Sequence, residues 1–260
     1  MKLLGLIGET LDYSFSEKYF TEKFKKEDIE GFDYKLFEIP NIESFPELLE
    51  TNPNFAGINV TIPYKNDIIP YLKSLDESAQ KIGAVNVIKF TDQGLVGYNS
   101  DYYGFRNSVT KWIGENLSNI TDALVLGTGG ASKAVRVALT DMGINVKMVS
   151  RDPQKADYTY KALKENPELV ATHTLIVNTT PLGTAPNELD KVDLPYEALT
   201  SKHYLYDVVY NPEITAFMQE GLRKGGKAKN GYEMLVLQAE KSWEIWLDGQ
   251  TPVAPQSETT

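Results

Sequence analysis

Gly127-Thr128-Gly129-Gly130-Ala131-Ser132 follows the apolar run Ala123-Leu124-Val125-Leu126 and opens a stretch of helical spacing that ends near Met142. Consecutive apolar residues of this length predict a buried strand, and the glycines predict a tight turn. A glycine turn between a buried strand and a helix aims backbone N–H groups, and the positive end of the helix, at a pyrophosphate. Gly127 allows the turn, and Gly129 lets a phosphate approach the backbone. Ser132 stands where the usual G-x-G-x-x-G spacing has its third glycine, so the match is partial. Thr128, Gly130 and Ala131 complete the expected cofactor-binding turn. The alternative is a turn that needs glycine for shape alone. The order strand, turn, helix and second strand (144–149) favours the dinucleotide.

The end of that second strand narrows the cofactor. An NAD site places Asp or Glu there to accept hydrogen bonds from the ribose hydroxyls. Here the strand ends Met148-Val149-Ser150-Arg151, with no carboxylate. Arg151 suits a 2′-phosphate, and Ser150 and Lys155 add a donor and a charge. The sequence therefore predicts NADP. Otherwise Arg151 is a solvated loop cation.

Working outward, 174–178 and 204–209 read as further strands, and 232–247 as a closing helix with Met234, Leu235, Leu237, Trp243 and Trp246 available for burial. Toward the N-terminus, 3–7, 34–39, 57–62, 85–90 and 95–98 read as strands, the last two paired across Thr91-Asp92-Gln93-Gly94. Helical spacing fills 17–24, 42–51 and 67–80. Strands separated by helices predict a largely parallel α/β sheet. The expected fold class is α/β, with two domains joined around 100–120. Residues 1–101 and 233–260 form the substrate-binding catalytic domain, and 102–232 form a Rossmann-like nucleotide domain. The C-terminal helix returns to the first domain, and the polar tail after Gly249 is expected to fray.

Composition removes several function classes. Acidic residues outnumber basic ones by 36 to 26, and no basic cluster is present, which argues against nucleic acid as a partner. There is no cysteine and only His173 and His203, so thiolate chemistry, a histidine-rich zinc site and a Ser-His-Asp triad are disfavoured. The apolar opening 3–7 runs straight into Glu9 and Asp12 and reads as a strand rather than a signal peptide. No apolar stretch approaches membrane-spanning length. The expectation is a cytoplasmic protein, monomer or homodimer, with a small-molecule substrate and no resident metal.

Short polar segments fall at strand ends, where ligands gather in open α/β sheets. Ser14 and Ser16, in Tyr13-Ser14-Phe15-Ser16, offer hydroxyls for vicinal diols or a carboxylate. Asn59-Val60-Thr61-Ile62-Pro63-Tyr64-Lys65 leaves Lys65 just past a strand tip. Gly83-Ala84-Val85-Asn86 and Gly97-Tyr98-Asn99-Ser100-Asp101 add an amide and a carboxylate.

Taken together, these segments resemble the shikimate dehydrogenase family over nearly the whole chain. Ser14 and Ser16 match its paired serines, 59–65 its N-V-T-x-P-x-K motif, and 83–86 its G-A-x-N motif. The glycine turn matches its G-x-G-G-A-S. Asn178-Thr179-Thr180-Pro181-Leu182-Gly183, Tyr206-Asp207-Val208-Val209-Tyr210 and the stretch 231–238 agree as well. The resemblance implies reversible reduction of 3-dehydroshikimate to shikimate with NADPH. Lys65 and Asp101 would be the catalytic pair, with Lys65 giving a proton to the forming alkoxide and Asp101 holding it. Ser14, Ser16, Thr61, Asn86, Tyr210 and Gln238 would bind substrate with them. Asn178, Thr179, Thr180, Val208 and Gly231 would flank the nicotinamide, with Glu77 facing it. Local capping is the alternative for Asn86 and Asn99, and surface exposure for Gln238 and Glu77.

The chain departs from the family pattern in places. Glu17 stands where Pro is usual after the second serine, Tyr13 where His is usual before the first, Ser100 in place of Thr, and Val87 in place of Thr. These departures leave open the shape of the carboxylate pocket. They also leave a quinate-oxidising relative, a folate-linked dehydrogenase and a non-catalytic nucleotide sensor as rivals. An intact Lys65 and Asp101 argue against the sensor, and the hydroxyl-rich segments argue against a pterin.

Overall fold

The structure is a computed structural model and describes residues 1–11 and 14–248. Tyr13 and the tail after Gly249, on which two expectations rest, lie outside the described residues. The chain folds into two compact units. One takes residues 1–79 and 85–98 and the described residues from Ala239 onward; the other takes 80–84 and 99–238.

The first unit is built on β1 (Lys2–Gly8), α1 (Phe15–Lys26), β2 (Phe32–Glu38), α2 (Phe45–Thr51), β3 (Phe55–Val60) and β4 (Ser74–Leu75). After α3 (Glu77–Ile82), whose last residues group with the second unit, come β5 (Val87–Thr91) and β6 (Gly94–Tyr98). Its sheet runs β2-β1-β3-β5-β6-β4. The strands β1, β2 and β3 are parallel, as expected, but β5 is antiparallel to both β3 and β6, so the sheet is mixed. The expected hairpin at 91–94 accounts for β5 against β6, because a tight turn reverses the chain, while β5 against β3 is a separate pairing with Asn59 opposite Val87.

Residues 67–80 do not form one helix. Turns and a short 3-10 helix at Ile69–Tyr71 precede β4 and α3. Pro70 has no N–H to give an α-helical bond, which ends the periodic pattern there. Helix α1 is set by Ser14 at its N-cap, Glu17 in its first turn, and Lys23, Lys25 and Lys26 in its last, each complementing the helix dipole. It buries Phe20 and Phe24.

The second unit contains α4 (Ser100–Ile113), β7 (Asp122–Leu126), α5 (Gly130–Asp141), β8 (Asn145–Ser150), β9 (Tyr158–Thr159), α6 (Tyr160–Glu165), α7 (Glu168–Thr172) and β10 (Leu175–Asn178). Then follow β11 (Tyr204–Asp207), α8 (Ala216–Arg223), β12 (Lys227–Lys229) and the start of α9 (Tyr232–Leu247). The sheet order β12-β11-β10-β7-β8-β9 is parallel throughout. The chain leaves β7 for β8 on one side and returns to β10 on the other. That reversal is the switch point where α/β sheets bind ligands, and it makes this a Rossmann-like arrangement.

The stretch read in the sequence as a join is mostly α4. Asn99 caps it by accepting from the Tyr102 amide at 3.3 Å, and Tyr102, Phe105, Val109 and Ile113 are buried on one face. Among the described residues no helix is long and apolar enough to cross a membrane.

Helix α9 is divided between the units after Gln238. In the first unit, Trp246 is buried and donates its indole N–H to the Ile88 carbonyl at 3.1 Å, while Trp243 packs on Phe24 and Phe32. Glu240 receives hydrogen bonds from the Tyr19 hydroxyl and the Lys23 ammonium on α1.

Candidate active site

In the second unit the glycine turn sits at the carboxyl end of β7. Gly127 has φ of +102°, a region most side chains avoid, and its amide donates to the Val149 carbonyl at 2.8 Å. Gly129 is the N-cap of α5, and no side chain caps that 12-residue helix. Its first N–H groups are therefore left for water or a ligand. A Cβ placed on Gly129 would meet nothing within 4 Å, so the turn is open on that side. Ser132, at the position of the missing third glycine, turns its hydroxyl back to the Gly129 carbonyl at 2.6 Å. An uncapped helix behind an open glycine turn fits the pyrophosphate of a dinucleotide.

At the tip of β8, Ser150 is buried and its oxygen accepts from the Asp152 amide at 3.2 Å, which leaves its O–H to donate. Arg151 is exposed, and its charge bears on the Tyr160 phenol. Lys155 is exposed and lies 3.7 Å from the Asp152 carboxylate. Two cations and one carboxylate therefore gather where the ribose end of a dinucleotide belongs. The hydroxyl donor and the guanidinium suit a 2′-phosphate.

The loops after β10 and β11 are tied together. Thr179 donates from its amide and its hydroxyl to the Leu126 carbonyl, at 2.9 and 2.6 Å, which lays this loop against the glycine turn. Asn178 is fully buried. Its amide group donates to Asp207 at 2.9 Å, while its oxygen accepts from the Thr180 amide and hydroxyl at 3.0 and 2.7 Å. Asp207, also fully buried, accepts in addition from the Val209 amide at 3.1 Å and the Thr215 hydroxyl at 2.6 Å. Burial pushes the Asp207 carboxyl up to about 6, against the opposing pull of Thr215, Val209 and Asn178. Val208 donates its amide to the Asn178 carbonyl at 3.0 Å. Gly231 is packed so closely that a Cβ there would lie 2.6 Å from the Val208 carbonyl carbon. Tyr210 is half-buried, and burial raises its phenol.

Asp101 lies buried in the first turn of α4. Ser100 donates its hydroxyl to the Gln238 side-chain oxygen at 3.3 Å, and Gln238 donates to the Leu235 carbonyl at 3.0 Å. Gln238 is thus a half-buried link between α4 and α9 rather than an exposed surface residue.

In the first unit, Ser14 caps α1 by accepting from the Ser16 amide at 3.2 Å. The loop before it is held by Glu38, which accepts from the Leu11 amide at 2.7 Å. The Ser16 hydroxyl meets the Tyr34 phenol, whose pKa burial raises and Ser16 opposes. Glu17, in the place of the usual Pro, is an exposed first-turn residue.

Asn59 organises the segment behind Lys65. It accepts from the Tyr34 hydroxyl at 2.8 Å and donates to the Asn86 carbonyl and the Ser242 hydroxyl, both at 3.1 Å. The Lys65 carbonyl accepts from the Val85 amide at 2.7 Å, and the Tyr64 hydroxyl donates to the Ile39 carbonyl at 2.6 Å. These bonds bring Thr61, Lys65 and Asn86 together at the carboxyl end of β3. Asn86 is buried, with its amide donating to Tyr98. Glu77 opens α3 in this unit and is exposed. A cavity of about 570 Å³ lined by Glu9, Glu43, Tyr64 and Asp67 lies in this unit too, and none of the expected residues lines it.

Sequence reasoning passed over Asn59 and Asp207 as functional groups. The signal for each was a polar residue inside an otherwise apolar strand, which burial turns into an anchor.

Comparison with known proteins agrees with this geometry. Residues 6–88 match the family model of the shikimate dehydrogenase substrate binding domain. A shikimate dehydrogenase (NADP(+)) of Clostridium beijerinckii is 40% identical, covering 96% of this chain and 93% of that protein. Among solved structures, a chorismate mutase/shikimate 5-dehydrogenase fusion protein from Clostridium acetobutylicum is 37% identical with a TM-score of 0.83, over 95% of this chain and 91% of that one. Shikimate 5-dehydrogenase from Thermus thermophilus, in complex with NADP(H) and shikimate, is 30% identical with a TM-score of 0.82, over 97% and 95%. Similarity of this extent, running through both units, places the chain in the shikimate dehydrogenase family.

Proposed function

We propose that the protein catalyses the reversible reduction of 3-dehydroshikimate to shikimate with NADPH, as a cytoplasmic monomer or homodimer. The observation that carries this reading is the ordered segment 59–65, anchored by Asn59 and Tyr64, which presents Thr61 and Lys65 beside Asn86 in a chain of this family. The glycine turn, with Ser150 and Arg151 at the next strand tip, supports NADP as the cofactor.

When bound, NADPH supplies a hydride to the ring carbonyl carbon. Lys65 gives a proton to the oxygen as it becomes an alkoxide and stabilises the charge that builds there. Asp101 orients that ammonium. Ser14 and Ser16 hold the substrate carboxylate, and Thr61, Asn86, Tyr210 and Gln238 hold the ring hydroxyls. Gly127, Thr128, Gly129, Gly130 and Ala131 take the pyrophosphate. Ser150, Arg151 and Lys155 take the 2′-phosphate. Asn178, Thr179, Thr180, Val208 and Gly231 shape the nicotinamide end, with Glu77 facing it.

The test mixes purified protein with shikimate or quinate and with NADP or NAD, following absorbance of the reduced nicotinamide. Shikimate with NADP is expected to turn over fastest. Absence of turnover in every combination overturns the enzyme reading, and turnover of quinate alone replaces the substrate.

A further inference from the structure

Asp207 has no part in the chemistry above, yet it is a fully buried carboxylate in the unit that carries the glycine turn. Burying a carboxylate is costly unless donors meet it, and here every donor comes from an element beside the expected nicotinamide site. Asn178 ends β10, Val209 stands on the loop after β11, and Thr215 is the N-cap of α8.

The chemistry of the acceptor gives the arrangement a direction. An ionised carboxylate only accepts, whereas an amide side chain accepts on one end and donates on the other. Facing Asp207, Asn178 must present its NH2 group, so its oxygen is turned to the Thr180 amide and hydroxyl. Thr215 must likewise donate to Asp207, leaving its oxygen to accept from the Met218 amide. A neutral amide in place of Asp207 accepts at one end only, so the bonds from Asn178 and Val209 on one oxygen and from Thr215 on the other cannot all be kept. The hold on Asn178, and through it on Thr180, is then weakened.

We propose that Asp207 is a positioning residue for the nicotinamide half of the cofactor, acting through Asn178 to hold the loops 178–180 and 208–210 in one shape. The inference rests on the reading that this unit binds NADP. It assigns Asp207 no contact with cofactor or substrate.

The test uses the full chain, wild type and Asp207→Asn, with two ligands. NADPH reports the whole site; 2′,5′-ADP reports only the end near Ser150 and Arg151. Asp207→Asn is expected to weaken NADPH binding at least tenfold and to lower kcat with NADP and shikimate, while 2′,5′-ADP binding stays within twofold of wild type. Unchanged NADPH binding and kcat overturn the proposal. Equal weakening of both ligands also overturns it, since that is a general loss of fold. If wild type itself fails to bind 2′,5′-ADP, the NADP reading falls and this inference falls with it. Should Asp207→Asn not fold, Thr215→Val removes one donor from the same carboxylate and must give the same split in milder form, threefold or more on NADPH alone. An even or absent response refutes the role.

Discussion

Gly231→Ala tests how tightly the nicotinamide end is built. In the structure a Cβ on residue 231 would stand 2.6 Å from the Val208 carbonyl carbon and 2.9 Å from its Cα, where ordinary contacts begin at 3.4 Å. Those obstacles are backbone, so no side chain can swing away. The Val208 carbonyl oxygen lies nearer still, so the loop after β11 must move by more than about 0.8 Å, and a displacement near 1 Å costs about 100-fold in rate when it misaligns reacting groups. That corresponds to about 2.7 kcal/mol of lost transition-state stabilisation. Forced overpacking adds about 1–3 kcal/mol of lost folding stability. The assay is steady-state turnover of shikimate with NADP, alongside a denaturant melt and a titration with 2′,5′-ADP. We expect kcat/KM to fall about 100-fold with 2′,5′-ADP affinity retained. Activity within threefold of wild type would refute the argument, because it would mean that Val208 can be moved without consequence.

Other changes probe separate parts of the molecule. Lys65→Ala is expected to keep shikimate binding and lose about 100- to 10,000-fold in kcat, the range for a positioned proton donor; lost binding with intact turnover would contradict its assigned role. Arg151→Ala should raise the KM for NADP far more than that for shikimate, and Asp152→Asn should lower the KM for NADP by up to about fivefold, since exposed charges contribute less than about 1 kcal/mol. Equal effects of Arg151→Ala on both substrates would remove Arg151 from the phosphate site. Glu233 is held down at about 2: burial alone would raise it, but hydrogen bonds from Lys111 and Lys229 prevail. Its folded value lies below the ordinary 4.5, so its contribution to stability is present above pH 4.5 and fades as pH falls toward 2. Denaturant midpoints of Glu233→Gln and wild type should therefore differ at pH 7, draw closer through pH 3 and converge only near pH 2; a constant gap would count against the linkage.

Much of the fold was legible because one interaction dominates locally. The strand before Gly127 is a short run of buried aliphatics and the turn after it has few alternatives, so β7 and α5 could be read nearly residue by residue. Residues 67–80 misled because their apolar spacing is helical while Pro70 forbids the bond pattern. Helix α4 was passed over because its start carries Asn99, Ser100 and Asp101, which read as site residues, whereas Asn99 caps the helix and the other two begin it. The mixed sheet depended on which neighbour β5 chooses, a long-range decision that the alternation within β5 does not record.

The site divided in the same way. Residues that act through identity at a strand tip, such as Lys65 and Arg151, are visible in a motif. Groups that act by holding others are not, because Asp207 and Asn59 gain their meaning only from partners far along the chain, such as Asn178 and Ser242.

The division of α9 also bears on the order in which the protein is made. Ala239, Trp243, Ile245 and Trp246 complete a core with Leu4, Leu6, Phe20, Phe24, Tyr34 and Val87. All of those earlier partners leave the ribosome before residues 99–238 of the second unit, and Trp246 only after them. At about 5–20 residues per second, the 148 residues from Tyr98 to Trp246 take roughly 7–30 s to synthesise. For that interval the newborn first unit carries an uncovered aromatic face, a natural surface for a chaperone. Its core is therefore completed only after the second unit has been made.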